Sequence, residues 1–252
     1  MVEIDLMASD SGCRSSLGLL GGWRLTVAGR PADVPPIARR LLALLALRGP
    51  LTRSQVADVL WPEVDEVTAS CRLRTALWRS IGGRGLVETR GGELALAPPV
   101  AVDVRQMRTS ARILAEAGRA ADPTGAWEAI SCPASLFEQD LLPNWWDDWL
   151  VVERERIRQT RLHALEALSA LWLCQKRYAE AVDTALAAVH AAPLRESAHR
   201  AVILAHLAEG NGVEAVRQFE ACRAILHQEL GVPPSAALTN LLPHRPARRP
   251  KE

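Results

Sequence analysis

Arg72, Thr75 and Arg79 stand at i, i+3 and i+7, a spacing that places three hydrogen-bonding side chains on one face of a helix. Leu73, Leu77 and Ile81, at i, i+4 and i+8, lie on the opposite face. Apolar residues with that period pack a helix against a core. The chemistry on offer is base-edge recognition: a helix fits the major groove of B-DNA, and arginine is the commonest reader of guanine there. The same arginines on an isolated amphipathic helix would simply solvate its outer face. Their surroundings have to decide.

The stretch from Leu51 to Ile81 reads as two helices joined by a proline-broken turn. Thr52 is an N-cap, and Gln55 three residues on completes a capping box. The helix it opens runs from Arg53 to Leu60 and ends at Trp61-Pro62. An acidic turn with Glu63, Asp65 and Glu66 follows. The arginine helix then begins near Thr68 and stops at Gly82-Gly83. Upstream, Pro35-Pro36 precedes IARRLLALLALRG, a helix apolar enough to be buried, halted at Gly49-Pro50. Before that, LGLLGG and WRLTVAGRP read as two strands, with room for a third. Downstream, Leu86 to Thr89 and Glu93 to Leu96 alternate around Arg90-Gly91-Gly92, and glycines allow the positive φ of a tight hairpin turn. Strands, three helices and a hairpin make a winged helix-turn-helix, and the leading strands mark its OmpR-type version. In that setting a basic helix face followed by a hairpin with Arg90 at its tip is better explained by DNA than by chance. Arg72, Thr75 and Arg79 are assigned to base edges or nearby phosphates, with Thr68 at the helix start. Arg53 and Arg90 are phosphate-clamp candidates, the second reaching from the wing. Arg74 adds a third helix arginine and leaves open which of the three meets a base.

Composition fits this frame. The 252 residues are 48% hydrophobic and 23% charged, a globular balance with room for one or two domains. Net charge is only +1, but residues 17–97 hold 11 Arg against 7 carboxylates, a local +4 that suits an anionic partner. Five scattered cysteines without a CxxC pair argue against a disulfide framework or a structural zinc site. No signal peptide and no membrane-length apolar run is present, so a cytoplasmic protein is expected. His163, His190, His199, His206 and His227 show no metal-binding pattern, and neither metal nor cofactor is expected.

The second half is a different object. A helix is expected from about Asp103 to Ala120, and a short one at Ala126 to Ser131. SLFEQDLLPNWWDDW is an aromatic and acidic connector into a long helix from about Trp149 to Cys174. Paired carboxylates beside aromatics can hydrolyse glycosides, and Glu138, Asp140, Asp147 and Asp148 stand near Trp145, Trp146 and Trp149. No histidine or nucleophile joins them in a recognisable order. The simpler reading is an anchor that docks the connector and caps the long helix, and the chain is not expected to be an enzyme. Beyond it Glu180-Ala181-Val182 recurs as Glu214-Ala215-Val216, with Leu173 matching Leu207 and Ala187 matching Ala221. That offset of 34 residues is the tetratricopeptide period. An ordinary helical bundle with a chance match is the alternative. The fold expected is mainly α with a small β part: a winged helix-turn-helix over residues 17–98 and an all-α, TPR-like helical repeat domain over 99–242. Residues 1–16 are expected to be a disordered lead-in and 243–252 a disordered basic tail.

In these combined features the chain from about Leu17 to Leu242 resembles the Streptomyces antibiotic regulatory protein family, in which an OmpR-type domain precedes a bacterial transcriptional activator domain. RRLLALLAL, LTRSQVADVLWP and ALWRSIG carry the resemblance in the first part; RYAEAV, APLRESAHRAVILAHLAEGN and the helix running into ELGVPPS carry it in the second. No Walker-type phosphate loop, as in the larger relatives, occurs here. The resemblance implies a transcriptional activator that binds direct repeats in promoter DNA as side-by-side protomers, a homodimer on DNA, and contacts RNA polymerase. In OmpR-type proteins the loop corresponding to Pro62 to Val67 commonly touches polymerase, which makes Glu63, Asp65 and Glu66 the candidate contacts. The rival expectation is a protein-interaction scaffold whose winged helix serves dimerisation.

Overall fold

A computed structural model of the chain describes residues 15–78, 85–118 and 134–242. It forms two compact units: the described parts of 1–107 together with 139–156, and those of 108–138 together with 157–252. The tail expected over 243–252, the short helix at 126–131 and nearly all of the 1–16 lead-in lie outside the described residues. Ser15 and Ser16, placed in that lead-in by sequence, belong to the first strand.

The first unit runs β1 (Ser15–Gly18), β2 (Arg24–Val27), β3 (Arg30–Pro31), α1 (Pro36–Arg48), β4 (Leu51–Thr52), α2 (Arg53–Leu60), α3 (Glu66–Ala76), β5 (Val87–Arg90), β6 (Glu93–Leu96) and β7 (Val100–Val102), then the start of α4 (Asp103–Ala117). The leading sheet has four strands in the order β3-β2-β1-β7. Its fourth strand is the difference from the two or three expected. Val100-Ala101-Val102 alternates like a strand and pairs in parallel with β1, Ser15 opposite Val100 and Leu17 opposite Val102. The wing likewise gains a strand, since β4 pairs with β6 through Leu51 and Leu94. Helix α1 is buried along Leu41 to Leu47, as its unbroken apolar run requires.

Asp103 fastens this unit. Its carboxylate accepts from the backbone amides of Leu19 at 2.8 Å, Leu20 at 2.9 Å and Val104 at 2.7 Å. Arg24 lies 3.9 Å away. Burial pushes the Asp103 carboxyl above its usual range, and the three amides and Arg24 offset part of that rise.

Residues 139–156 close the unit from the far end of the sequence. The amide of Gly21 donates to Asp140 at 2.8 Å and that of Leu142 to Leu19 at 2.9 Å. Gly21 sits at φ +70, a left-handed conformation that favours glycine. Trp145 stacks on Trp23 with ring centroids 5.8 Å apart. Asp147 pairs with Arg40 at 2.5 Å, and the buried Glu153 pairs with Arg48 at 3.0 Å. Arg154 donates to the carbonyls of Leu141, Leu142 and Trp145. Asp147 and Trp145 of the connector thus hold it against the rest of the first unit.

In the second unit, α5 (Trp149–Cys174, shared with the first unit over its opening turns) precedes α6 (Tyr178–Ala191), α7 (Glu196–Glu209), α8 (Gly212–Leu230) and the short α9 (Ala236–Thr239). The 34-residue period reappears in burial: Leu165 and His199, Leu168 and Val202, Ala181 and Ala215, Ala185 and Phe219, and Ala188 and Cys222 are all buried. The buried match is 188 with 222. Ala187 is only half-buried and Ala221 is exposed, so that sequence match lies beside the buried line. Ala181 and Ala215 are fully buried, which lets paired helices approach closely. The Ser169 hydroxyl donates to the Ala181 carbonyl at 2.8 Å, tying α5 to α6. At the ELGVPPS corner, Glu196 accepts from the Ser235 amide at 2.9 Å and its hydroxyl at 2.6 Å, while Ser235 caps α9. Ile203, Ala215, Phe219, Cys222, Leu226 and Leu238 make the core beneath it.

Candidate nucleic-acid interface

Two helices and a hairpin present the residues singled out for DNA. Helix α2 begins with the capping box read from sequence: the Gln55 amide donates to the Thr52 hydroxyl at 3.2 Å, and the Thr52 amide donates to the Gln55 side chain at 2.9 Å. Val56, Ala57 and Leu60 face the core, which leaves Arg53 exposed on the first turn.

Helix α3 begins two residues earlier than Thr68. Asp65 is its N-cap, accepting from the Thr68 amide at 3.0 Å and the Thr68 hydroxyl at 2.7 Å. These hydrogen bonds hold the Asp65 carboxyl below its usual range. Thr68 is therefore inside the first turn, with its hydroxyl proton committed to the cap. Asp65 in turn is a structural cap before it is anything else.

Ala69, Leu73 and Ala76 are the buried positions of α3. Each residue turns about 100° around the axis, so the line farthest from that core passes through Val67, Cys71 and Trp78. All three are exposed, Val67 by 74% and Trp78 by 80%. Arg74 and Thr75 flank this line on either side, and both are exposed. Arg72 lies farther round on the side of Thr75, and its guanidinium is 3.8 Å from Glu63 in the preceding turn. The Thr75 hydroxyl donates to the Cys71 carbonyl at 3.0 Å, which commits its proton to the helix backbone. Glu66 is exposed in the first turn, a favourable place for a negative charge. Arg79 lies outside the described residues.

The wing carries Arg90 as the last residue of β5, opposite Glu93 of β6. Gly91 and Gly92 turn the hairpin at φ +55 and +89, as their positive φ demands. The Arg90 guanidinium pairs with Glu88. Sequence spacing thus identified the exposed arginines but not their acidic neighbours, because the Glu63–Arg72 approach depends on how the turn folds back. Nor did it single out Val67 and Trp78. The signal available was the pair of alanines at 69 and 76, which fix the buried face and so its opposite.

Among the described residues no group of three His, Cys, Asp or Glu side chains is arranged to hold a metal. No described helix is long and apolar enough to cross a membrane.

Comparison with known proteins places this arrangement. The family model for the bacterial transcriptional activator domain matches residues 102–243. The regulatory protein AfsR of Streptomyces coelicolor is 30% identical over 233 residues, covering 89% of this chain and 23% of that protein. AfsR of Streptomyces griseus is 29% identical over 235 residues, with the same shares. The chain spans about a quarter of the length of these relatives. A solved structure, Mycobacterium tuberculosis EmbR in complex with a low-affinity phosphopeptide, matches in fold with a TM-score of 0.67 at 19% identity, over 90% of this chain and 64% of that one. With a family model spanning more than half of its length behind a strand-first winged helix, the chain belongs to the bacterial transcriptional activator domain family, among the Streptomyces antibiotic regulatory proteins.

Proposed function

We propose that the chain is a sequence-specific DNA-binding transcriptional regulator, an activator that binds direct repeats in promoter duplexes and engages RNA polymerase. The observation that carries this reading is the outer face of α3, where Arg74 and Thr75 flank the exposed line and a glycine-turned wing follows. Arg74 and Arg72 approach base edges, with Thr75 beside them; Arg79 is assigned to the same role from its sequence spacing alone. Thr68 supports the helix entry. Arg53 and Arg90 contact phosphates, which positions the helix without reading sequence. Binding requires Arg72 to leave Glu63 and Arg90 to leave Glu88. The first pair is exposed on both sides and the second has an exposed arginine on a half-buried glutamate; surface pairs are worth about 0–1 kcal/mol, a small barrier beside a bidentate arginine–guanine contact of about 1–3 kcal/mol. Of the three acidic turn residues, Asp65 caps α3 and Glu63 faces Arg72, so Glu66 is the best placed for polymerase. Two protomers side by side on repeated half-sites suit a reader of this size, and the work is done in the cytoplasm.

The test selects bound duplexes from a random pool and titrates the winner by fluorescence anisotropy at several salt concentrations. Arg72→Ala, Arg74→Ala and Arg79→Ala are compared with the natural chain. Each reader arginine that meets a base is expected to cost about 5- to 150-fold on the selected site, and much less on random sequence. Equal affinities for all four proteins remove α3 from the reading role. No salt-dependent binding at all favours the scaffold reading, in which the winged helix joins protein to protein.

A further inference from the structure

We propose that Val67 is a specificity-determining residue that reads the 5-methyl group of a thymine in the major groove. The inference rests on the DNA-binding reading above and goes beyond it, since that reading assigns only polar contacts. Val67 is 74% exposed and lies on the line of α3 farthest from the buried Ala69, Leu73 and Ala76. That line is the part of a groove-reading helix that reaches deepest, and residues near the N-terminus of such a helix contact base edges. Valine contributes nothing to the stability of the exposed first turn: its branched Cβ restricts χ1 and lowers helix propensity below that of alanine or glutamate. The same restriction fixes its two methyl groups in one orientation, which suits a contact with a small apolar target. In the major groove that target is the thymine methyl, the one apolar group on any base edge there. The flanks of the line agree with this occupant. One to two turns beyond Val67, Arg74 is exposed on one side of the line and Arg72 on the other, cationic groups that suit a polyanion; at Val67's own end the Asp65 carboxylate is committed to the helix cap and Glu66 lies round on another face.

The experiment uses the full chain and a duplex selected from a random pool. Each thymine of the site is replaced in turn by deoxyuridine, which deletes the methyl and keeps every hydrogen-bonding group. For the natural chain one replacement is expected to weaken binding by about threefold to fivefold, the worth of one buried methyl-sized group. In Val67→Ala the parent duplex binds more weakly by a similar factor, and the deoxyuridine penalty at that position disappears. Circular dichroism of Val67→Ala is expected to match the natural chain, because the substitution is exposed and raises helix propensity. A site at which every deoxyuridine is tolerated overturns the assignment, as does a penalty that persists undiminished in Val67→Ala. In both cases the DNA-binding reading survives, since the parent duplex still binds. A chain that binds no duplex from the pool overturns both.

Discussion

Replacing Asp103 by alanine should strip the first unit of the group that joins β1 to β7 and α4. Leu19 and Leu20 are fully buried, and their amides donate to this carboxylate. An orphaned buried donor costs about 1–3 kcal/mol, so two cost about 2–6 kcal/mol. Part of that is returned, because Asp103→Ala also removes a carboxylate whose raised pKa records an unfavourable burial. The expected loss is therefore in the lower half, about 2–4 kcal/mol, a large share of the roughly 5–15 kcal/mol typical of a folded domain. Asp103→Asn keeps an oxygen for the amides and should cost about 1 kcal/mol. The pH dependence separates the two effects. A carboxyl with a raised folded pKa binds its proton more tightly in the folded state, so stability is greatest at low pH. It falls as pH rises from the unfolded value of about 3.9 to the higher folded value, and is flat above that. Asp103→Asn lacks this slope. Urea unfolding followed by tryptophan fluorescence reads the right unit, since six of the eight tryptophans lie in residues 1–107 and 139–156. An Asp103→Ala chain within about 0.5 kcal/mol of the natural one, below what a single orphaned amide costs, would refute the reasoning.

Two further outcomes follow from groups elsewhere. Cys71 and Cys174 are exposed, whereas Cys222 is buried and its thiol is pushed up to about 11, chiefly by burial. Peptide mapping after alkylation at pH about 8, near the ordinary thiol value, should find the first two modified and Cys222 intact until the chain is unfolded. The duplex-binding activity should fall in step with modification of Cys71, which stands on the outer line of α3. In the second unit, Ser169→Ala removes the donor to the buried Ala181 carbonyl. It should lower the stability of that unit by about 1 kcal/mol in urea, with duplex affinity unchanged.

Much of this molecule is legible from local chemistry. The Thr52 and Gln55 box, the Gly91-Gly92 hairpin and the long helix ending at Cys174 follow from residue types within a few positions of one another. The mainly α fold with its small β part follows from the order of those elements. The period of 34 was visible in Glu180-Ala181-Val182 and its repeat, and burial extends it to pairs such as Ala188 and Cys222 that the residue types alone did not mark. What sequence could not supply depends on long-range pairing. Val100 to Val102 alternates too briefly to announce a strand, and its partner lies more than 80 residues away. The residues on the outer line of α3 depend on which face is buried. Two small alanines at 69 and 76, less conspicuous than Leu77, decide that. The acidic turn read as a surface for polymerase also caps α3 through Asp65 and faces Arg72 through Glu63, and no spacing rule reveals such double use.

The parallel pairing of β1 with β7 has a consequence for how the first unit can be made. A chain leaving the ribosome exposes β1 first, yet its second neighbour in the sheet is not synthesised until residues 100–102, and the segment that docks on Gly21 and Trp23 not until 139–156. Contacts of such wide sequence separation form late. A fragment that stops at residue 98 would carry every expected DNA contact and still lack β7, Asp103 and Trp145. Cutting the first unit alone from this chain therefore means keeping the stretch around Trp145 and Glu153, remote in sequence from α3, or leaving β1 with an open edge that other chains can pair with.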